Sequence, residues 1–369
     1  MKPPSLLGNG MFVDWRGRSG LATFASAAVL LANCTGALSP TATSAAAEKA
    51  PAASSPAALS ATPTPAPTSY ITLDPEVMDA RYREGRSLFE YDAAAPLEIE
   101  QEERPFIDND AYAAYRLTYA SPMGGPVSAF LLVPSTDAAH PGLLMMHGLG
   151  DNKSAELPFA QKFAAAGAVV LVIDAPFAGE GRRDEPPISF TERDRDEHIQ
   201  LIVDLRRAVD LLLAREDVDP QRIAYHGFSY GGMVGGLLAG VEDRLAAYAL
   251  IVADGGLVEH HTGPDDADGP LNDLVPADRE RWLALMEPLE SLYFVGHAAP
   301  AALLMQSARQ DDLVPTTDAE RFHAAASEPK TVMWYDSGHG LPAEAECATV
   351  NWLADHVGID PARYASNCE

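Results

Sequence analysis

The stretch that most constrains the fold of this chain reads His226-Gly227-Phe228-Ser229-Tyr230-Gly231-Gly232. It has the pattern G-x-S-x-G, with an apolar run at residues 222–225 before it and a small-residue run at residues 233–240 after it. An apolar run that enters a glycine-flanked serine and leaves as a helix predicts a strand, a sharp turn and a helix, with the serine exposed at the turn. The turn leaves no room for side chains on either side of the serine, and Gly227 and Gly231 satisfy that requirement.

The composition limits the classes of function. The chain has 369 residues, enough for one large domain or two ordinary ones, and its apolar content of 47% is enough for a sizeable core. The formal net charge is −27, which argues against nucleic acid as a partner because the protein would repel phosphate. The acidic residues are spread along the chain, so they indicate a solvated surface and carry no information about chemistry.

The first 34 residues resemble an export signal. Lys2, Arg16 and Arg18 supply positive charge, and the apolar run at residues 21–32 is too short to span a bilayer. The run ends in Leu31-Ala32-Asn33-Cys34, which is similar to the bacterial lipoprotein signal, in which the cysteine is lipidated and becomes the new N-terminus. The asparagine departs from the Gly, Ala or Ser that usually precedes that cysteine. The alternative is an ordinary secretory signal that is cleaved further along.

We therefore expect an exported lipoprotein of the bacterial cell envelope, held at the membrane only through lipid on Cys34. A soluble secreted or periplasmic protein is the alternative. Residues 35–69 are almost all Ala, Pro, Ser and Thr, which predicts a disordered tether, and residues 70–369 form the folded domain. Cys347 and Cys368 are candidates for a disulfide, since exported proteins meet an oxidising environment.

Within the folded domain, short apolar runs alternate with helical patterns. Eight runs read as strands, at residues 114–120, 128–133, 142–146, 169–173, 222–225, 248–253, 301–306 and 331–335. Their order predicts a mostly parallel eight-stranded sheet, beginning with an antiparallel edge and covered by helices on both faces. Residues 255–297 are more than a crossover needs, and they predict a small helical cap insertion with helices at 277–286 and 289–296.

A serine hydroxyl is a poor nucleophile without an imidazole base, and the imidazole needs a carboxylate to fix its tautomer. His339 lies between two glycines after the last predicted strand, where a loop could bring it to Ser229. Asp311 follows the preceding strand, where this serine–acid–histidine chain order places the acid. Asp312, beside it, and Asp254, after an earlier strand, remain alternatives for the acid.

An oxyanion needs two backbone N–H donors in a dry pocket. Tyr230 would provide one, because it follows the nucleophile at a helix N-terminus. Leu149 would provide the other, from the turn His147-Gly148-Leu149-Gly150. We expect the side chain of the histidine in this turn to be structural.

The remaining motifs predict neither a metal site nor a cofactor. His260 and His261 are adjacent, so they lack the i, i+4 spacing that would put two ligands on one helix face. The segment Gly179-Glu180-Gly181 has no lysine and no third glycine, so it is not a phosphate-binding loop.

Together these motifs resemble the α/β-hydrolase superfamily, and within it the dienelactone hydrolase and acetyl-xylan-esterase-like group. The resemblance implies an α/β-hydrolase fold, the catalytic residues Ser229, Asp311 and His339, and cleavage of a small-molecule or carbohydrate-linked carboxylic ester. Ser229 departs from dienelactone hydrolase itself, which uses a cysteine. A peptidase or amidase of the prolyl-oligopeptidase type is the alternative, but residues 70–113 leave no room for a propeller domain. The sequence does not give the oligomeric state.

Overall fold

The short apolar runs form one sheet in the computed structural model, which describes residues 70–179, 186–263, 266 and 269–364. The strands are β1 (Glu100–Gln101), β2 (Ile107–Asp108), β3 (Tyr112–Ala120), β4 (Pro126–Pro134), β5 (His140–Met146), β6 (Val169–Ile173), β7 (Val218–Phe228), β8 (Ala247–Ile251), β9 (Ala302–Ala308) and β10 (Lys330–Tyr335). Across the sheet they run β1-β3-β4-β6-β5-β7-β8-β9-β10, and β2 also pairs with β3.

The pairing is mostly parallel. Strand β3 is antiparallel to β4, and β4 is antiparallel to β6, whereas β6, β5, β7, β8, β9 and β10 pair in parallel. The predicted antiparallel edge and parallel centre are therefore confirmed. The sheet has ten strands instead of the predicted eight, because β1 and β2 also pair with β3. Strands of two residues are too short to show an alternating pattern, so no sequence pattern predicts them.

Helices cover both faces of the sheet. They are α1 (Pro75–Gly85), α2 (Lys153–Ala165), α3 (Glu192–Leu213), α4 (Tyr230–Ala239), α5 (Leu257–Thr262), α6 (Pro276–Met286), α7 (Thr316–Ala325), α8 (Ala343–Val357) and α9 (Pro361–Tyr364). Successive residues of β7 show the two faces: Ala224 packs in the core with α2 and α8, whereas the ring of Tyr225 meets Gly235 of α4. No helix in the described part of the chain is long and apolar enough to cross a membrane.

The insertion at residues 255–297 contains α5 and α6, as a helical insertion requires, but the second predicted helix is wrong. Residues 289–296 lie instead in a series of 3₁₀ turns, at Glu287–Leu289, Ser291–Tyr293 and Val295–His297. The N–H of Leu292 donates to the carbonyl of Gly255 at 2.9 Å instead of to a preceding turn, so the stretch forms single turns and not a continuous helix. Its apolar side chains are still buried, which explains why their pattern looked helical.

A buried carboxylate attaches the insertion to the start of α3. Asp194 is 4% exposed and accepts hydrogen bonds from the backbone N–H of Ser189 at 2.8 Å and of Phe190 at 2.7 Å. It also accepts from the hydroxyl of Ser189 at 2.6 Å and from the indole Nε1 of Trp282, on α6, at 2.8 Å. One side chain therefore holds the loop before α3 and the main helix of the insertion together.

Candidate active site

The turn between β7 and α4 has the strained geometry that the glycine-flanked serine predicts. Ser229 lies between the two elements with φ 55° and ψ −118°. It is only 7% exposed, so the prediction of an exposed serine is wrong, and the residues around the turn cover it. Residues other than glycine rarely adopt positive φ, and such strain persists only where the surroundings enforce it. Here the N–H of Ser229 donates to the carbonyl of Ile251 at 2.8 Å, and its own carbonyl accepts from Met233 at 2.9 Å.

The glycines on either side of the serine are required by contact. A Cβ at Gly227 would collide with the backbone of Gly231, and a Cβ at Gly231 would collide with the carbonyl of Met146. A Cβ at Gly232 would lie 2.8 Å from the Cβ of Ala253, closer than real Cβ atoms approach. Strand β7 and α4 can therefore meet at this angle only with glycine at these positions.

Three side chains from three loops meet at this turn. Nε2 of His339 lies 2.9 Å from Oγ of Ser229, and Nδ1 of His339 lies 2.9 Å and 3.1 Å from the two carboxylate oxygens of Asp311. A carboxylate accepts only, so Nδ1 carries a proton and Nε2 is left to accept from the serine hydroxyl. The structure thus brings together all three residues that the motifs single out, each at the carboxyl end of a different strand.

The two alternative acids lie elsewhere or make other contacts. Both carboxylate oxygens of Asp311 lie within hydrogen-bond distance of Nδ1 of His339, as the first choice of acid requires. Asp254 is 3% exposed and bonds Nδ1 of His260 at 2.7 Å. Burial alone would lower the pKa of His260, but the charge of Asp254 and the hydrogen bond to it outweigh burial and raise that pKa. Asp254 therefore belongs to a separate ion pair.

The two predicted oxyanion donors belong to segments that adjoin Ser229. Tyr230 is the first residue of α4, so its N–H has no acceptor within the helix. On the other side, a Cβ at Gly148 would lie 3.6 Å from the Cβ of Ser229, so the turn that carries Leu149 adjoins the nucleophile. The two segments that carry the predicted donors thus meet at Ser229, and the binding of an oxyanion by their N–H groups stays a prediction.

His147 fixes the orientation of this turn. It is fully buried, its Nδ1 lies 2.8 Å from the carbonyl oxygen of Gly148, and its Nε2 accepts the N–H of Ala175 at 3.1 Å. Burial lowers the pKa of His147 to about 4, so the ring is neutral at pH 7 and Nδ1 carries the proton. Because the N–H and C=O of a trans peptide point in opposite directions, holding the carbonyl of Gly148 also fixes the N–H of Leu149.

An ion pair that the sequence did not reveal connects the start of α2, which follows this turn, to the end of β6. Nζ of Lys153, at the start of α2, lies 2.5 Å from a carboxylate oxygen of Asp174, whose other oxygen accepts the backbone N–H of Lys153 at 2.8 Å. Asp174 directly follows β6 and is 6% exposed. In the sequence, the position of Asp174 at the end of a strand is the one feature that indicates a role in organising the neighbouring loop.

The other histidines have local roles. His261 bonds Asp266 at 3.0 Å, and the ring of His226 packs against Phe163 with 5.7 Å between ring centroids. Among the described residues, no group of three or more His, Cys, Asp or Glu side chains is arranged to hold a metal ion. The expectation that the protein needs no metal or cofactor stays a prediction.

The cysteine predictions fall partly outside the described residues. Cys347, on α8, is disulfide-bonded. Cys34 and Cys368 lie outside the described residues, as do the proposed signal at residues 1–34, the tether at 35–69 and Glu180 and Gly181 of the glycine-containing loop. Lipidation of Cys34 and the pairing of Cys347 with Cys368 therefore stay predictions.

The fold and the turn at Ser229 define a class of protein. A sequence profile for the alpha/beta hydrolase fold matches residues 141–311, which include Ser229 and Asp311. The order of the sheet, the strained turn and this match show that the chain has the α/β-hydrolase fold.

Individual relatives are more distant. The quorum-quenching protein AidA of Acinetobacter baumannii (strain MDR-ZJ06) is 31% identical over 121 residues, which are 32% of this chain and 38% of AidA. The chain thus matches little more than a third of that relative's length. An acetyl xylan esterase from Paenibacillus sp. R4 superimposes with a TM-score of 0.62 at 21% identity, over 79% of this chain and 97% of the esterase. A prolyl endopeptidase gives a TM-score of 0.51 at 22% identity, over 69% and 40%. These structural likenesses establish the fold alone.

Proposed function

We propose that the protein is a serine hydrolase that cleaves carboxylic esters through an acyl-enzyme. The observation that carries the proposal is the continuous hydrogen-bonded line from Ser229 through His339 to Asp311, with 2.9 Å at each link. The strained turn at Ser229 and the two flanking N–H groups support it, since neither is needed for folding alone.

The proposed reaction begins when Oγ of Ser229 attacks the ester carbonyl and its proton passes to Nε2 of His339. The carboxylate of Asp311 stabilises the imidazolium, and the N–H groups of Leu149 and Tyr230 bind the oxyanion. The tetrahedral intermediate then expels the alcohol, which takes the proton from Nε2 and leaves the acyl group on Ser229. Water, deprotonated by the same imidazole, attacks the acyl-enzyme and releases the carboxylic acid.

The proposed substrate is a small-molecule or carbohydrate-linked ester, by analogy with the acetyl xylan esterase that shares the fold. A peptidase or amidase is the second candidate, because a prolyl endopeptidase shares the fold and because ester and amide pass through the same acyl-enzyme. Rates on p-nitrophenyl esters of graded acyl length, measured beside peptide anilides, separate the two. An anilide rate above every ester rate would replace the first candidate with the second.

The first test is Ser229→Ala. We expect kcat for the best ester to fall by a factor on the order of 10⁴ to 10⁶ while the protein stays folded, because the oxyanion donors alone retain only modest catalysis. Circular dichroism checks the fold, and mass spectrometry checks that a fluorophosphonate adds to wild type and not to the variant. Ser154→Ala, at an exposed serine of α2, is the matched control. Full activity in Ser229→Ala would remove the proposal.

A further inference from the structure

The side chain next to the nucleophile makes a contact that no catalytic motif requires. Tyr230 is 3% exposed, and its phenol oxygen lies 3.0 Å from Nδ1 of His198. His198 lies on α3 and is 2% exposed. Burial lowers the pKa of His198 to about 4, so at pH 7 its ring is neutral and Nδ1 can accept the phenol proton.

A third ring connects this pair to the other side of the site. Phe177 lies in the loop after β6 and meets the ring of Tyr230 edge to face, with 5.5 Å between ring centroids. The same phenylalanine meets the ring of His147 edge to face at 6.2 Å. The rings of His147, Phe177, Tyr230 and His198 therefore form one buried row, which we call the aromatic brace. The brace joins His147, which holds the turn that carries Leu149, to Tyr230, which carries the other predicted donor.

The residue type at position 198 needs an explanation. Nε2 of His198 is buried and has no hydrogen-bond partner among the described residues. Burying a polar nitrogen without a partner is unfavourable, and a leucine would fill this apolar helix position without that penalty. The contact that a leucine could not make is the hydrogen bond to Tyr230.

We propose that His198 is a positioning residue for the oxyanion hole, because it holds the ring of Tyr230 and thereby sets the distance between the N–H groups of Tyr230 and Leu149. The inference rests on the proposed function. Oxyanion donors act only within a narrow range of distances from the developing charge, so a small shift of one donor weakens both contacts in the transition state. The ester substrate in the ground state gains little from those contacts, so its binding is not affected.

The main test uses Tyr230→Phe, which deletes only the hydroxyl and keeps the ring packed against Phe177. We expect kcat for p-nitrophenyl acetate to fall about tenfold with KM unchanged, less than the factor of 10² to 10³ that follows removal of a whole donor. The Kd of phenylboronic acid, whose adduct with Ser229 places an oxygen in the oxyanion hole, should rise by the same factor. All rates are normalised to active sites that react with a fluorophosphonate.

His198 is tested by two substitutions. His198→Leu should change kcat and the boronate Kd as Tyr230→Phe does. The double variant should lose no more kcat than either single variant, because both substitutions remove the same hydrogen bond. His198→Asn should recover most of the activity, since its side-chain oxygen can accept the phenol proton. The matched control is His140→Leu, which removes a buried histidine bonded to Gly167 at the opposite end of β5. It should lower stability and leave kcat per active site unchanged.

The outcomes separate this inference from the proposed function. If wild type hydrolyses the ester and Tyr230→Phe and His198→Leu match its kcat and boronate affinity, the brace is overturned and the function stands. If the ester is not cleaved but boronate binding weakens in both variants and not in the control, the ester function falls and the brace stands. Additive losses in the double variant would also overturn the brace.

Discussion

The carboxylate of Asp311 is held before any substrate binds. Its side chain is 2% exposed, and one oxygen accepts the backbone N–H groups of Leu313 at 2.9 Å and Val314 at 3.0 Å in addition to its contact with His339. These donors leave the carboxylate one orientation. The ring of His339 is aligned as a consequence, with Nε2 directed at Ser229.

Asp311→Asn should therefore disable the site without unfolding it. An asparagine amide can donate to Nδ1 and favour the wrong tautomer of His339, so we expect kcat to fall by a factor of about 10⁴. Asp254→Asn is the matched control, because Asp254 is equally buried and bonds a different histidine. Ester hydrolysis at pH 7 measures both. A large loss of kcat in Asp254→Asn with a small loss in Asp311→Asn would show that Asp254, and not Asp311, is the acid partner of His339.

The residues that could be found from the sequence alone share one property. Ser229 lies between Gly227 and Gly231, and His339 lies between Gly338 and Gly340. Asp311 lies four residues before Pro315, and short loops of this kind give a local signal after a strand. His198 and Asp194 lie on a long amphipathic helix, where a polar residue in the buried stripe looks like an irregularity of the pattern. Their roles depend on partners distant in the chain, Tyr230 and Trp282, so no local pattern could show them.

At the scale of elements, the junction between α3 and the insertion depends on one side chain. Asp194→Ala would leave three N–H donors without their acceptor, the backbone groups of Ser189 and Phe190 and the indole of Trp282. The hydroxyl of Ser189 would keep its contact with Oγ1 of Thr191 at 2.7 Å. We expect a loss of roughly 2–5 kcal/mol in the free energy of unfolding, measured by urea titration, and faster proteolysis within residues 255–297. Asp196→Ala, at an exposed position of the same helix, should change neither. Equal stability of the two variants would contradict this role.

Helix α2 contains a buried acid that should make stability depend on pH. Glu156 is 4% exposed, and burial, with a smaller contribution from the charge of Asp151, raises its pKa from 4.5 to about 8. The folded state therefore binds a proton that the unfolded chain has lost, so this group lowers stability progressively as pH rises from about 4.5 to about 8. Below pH 4.5 both states are protonated and the penalty is absent.

Glu156→Gln removes the ionisation and should remove this pH dependence. We expect the variant to be more stable than wild type at pH 8, by an amount on the order of a few kcal/mol, and similar to wild type near pH 4.5. Thermal unfolding at the two pH values provides the measurement. Glu280→Gln, at an exposed position of α6, should follow the wild-type curve. If Glu156→Gln also shows the wild-type dependence of stability on pH, the side chain of Glu156 does not have a raised pKa.

At the scale of the whole molecule, the sequence also predicts how the domain is attached. We propose that lipid on Cys34 anchors the protein in the bacterial cell envelope through the tether at residues 35–69, on the basis of the apolar run that ends at this cysteine. Labelled fatty acid should enter wild type and not Cys34→Ser, and the variant should leave the membrane fraction. A mature N-terminus beyond residue 40 without lipid would support the secreted alternative.

The sequence predicts the central strands of the sheet better than it predicts the short strands and the insertion. Buried parallel strands are continuous apolar runs, so β5, β6 and β8 were each found within a few residues. The short strands β1 and β2 and the 3₁₀ turns of the insertion were missed or misread. Their conformations are set by the neighbours that they pack against, and the local pattern does not contain that information.

The position of β10 in the sheet has a consequence for how the protein loses activity. Among the described strands, β10 pairs only with β9, and His339 lies in the loop that directly follows it. Strands at an edge open more readily than central ones, because they are bonded on one side. If the proposed function holds, loss of ester hydrolysis on heating would report the fraying of β10 at one edge of the sheet, while spectroscopy still shows a folded domain.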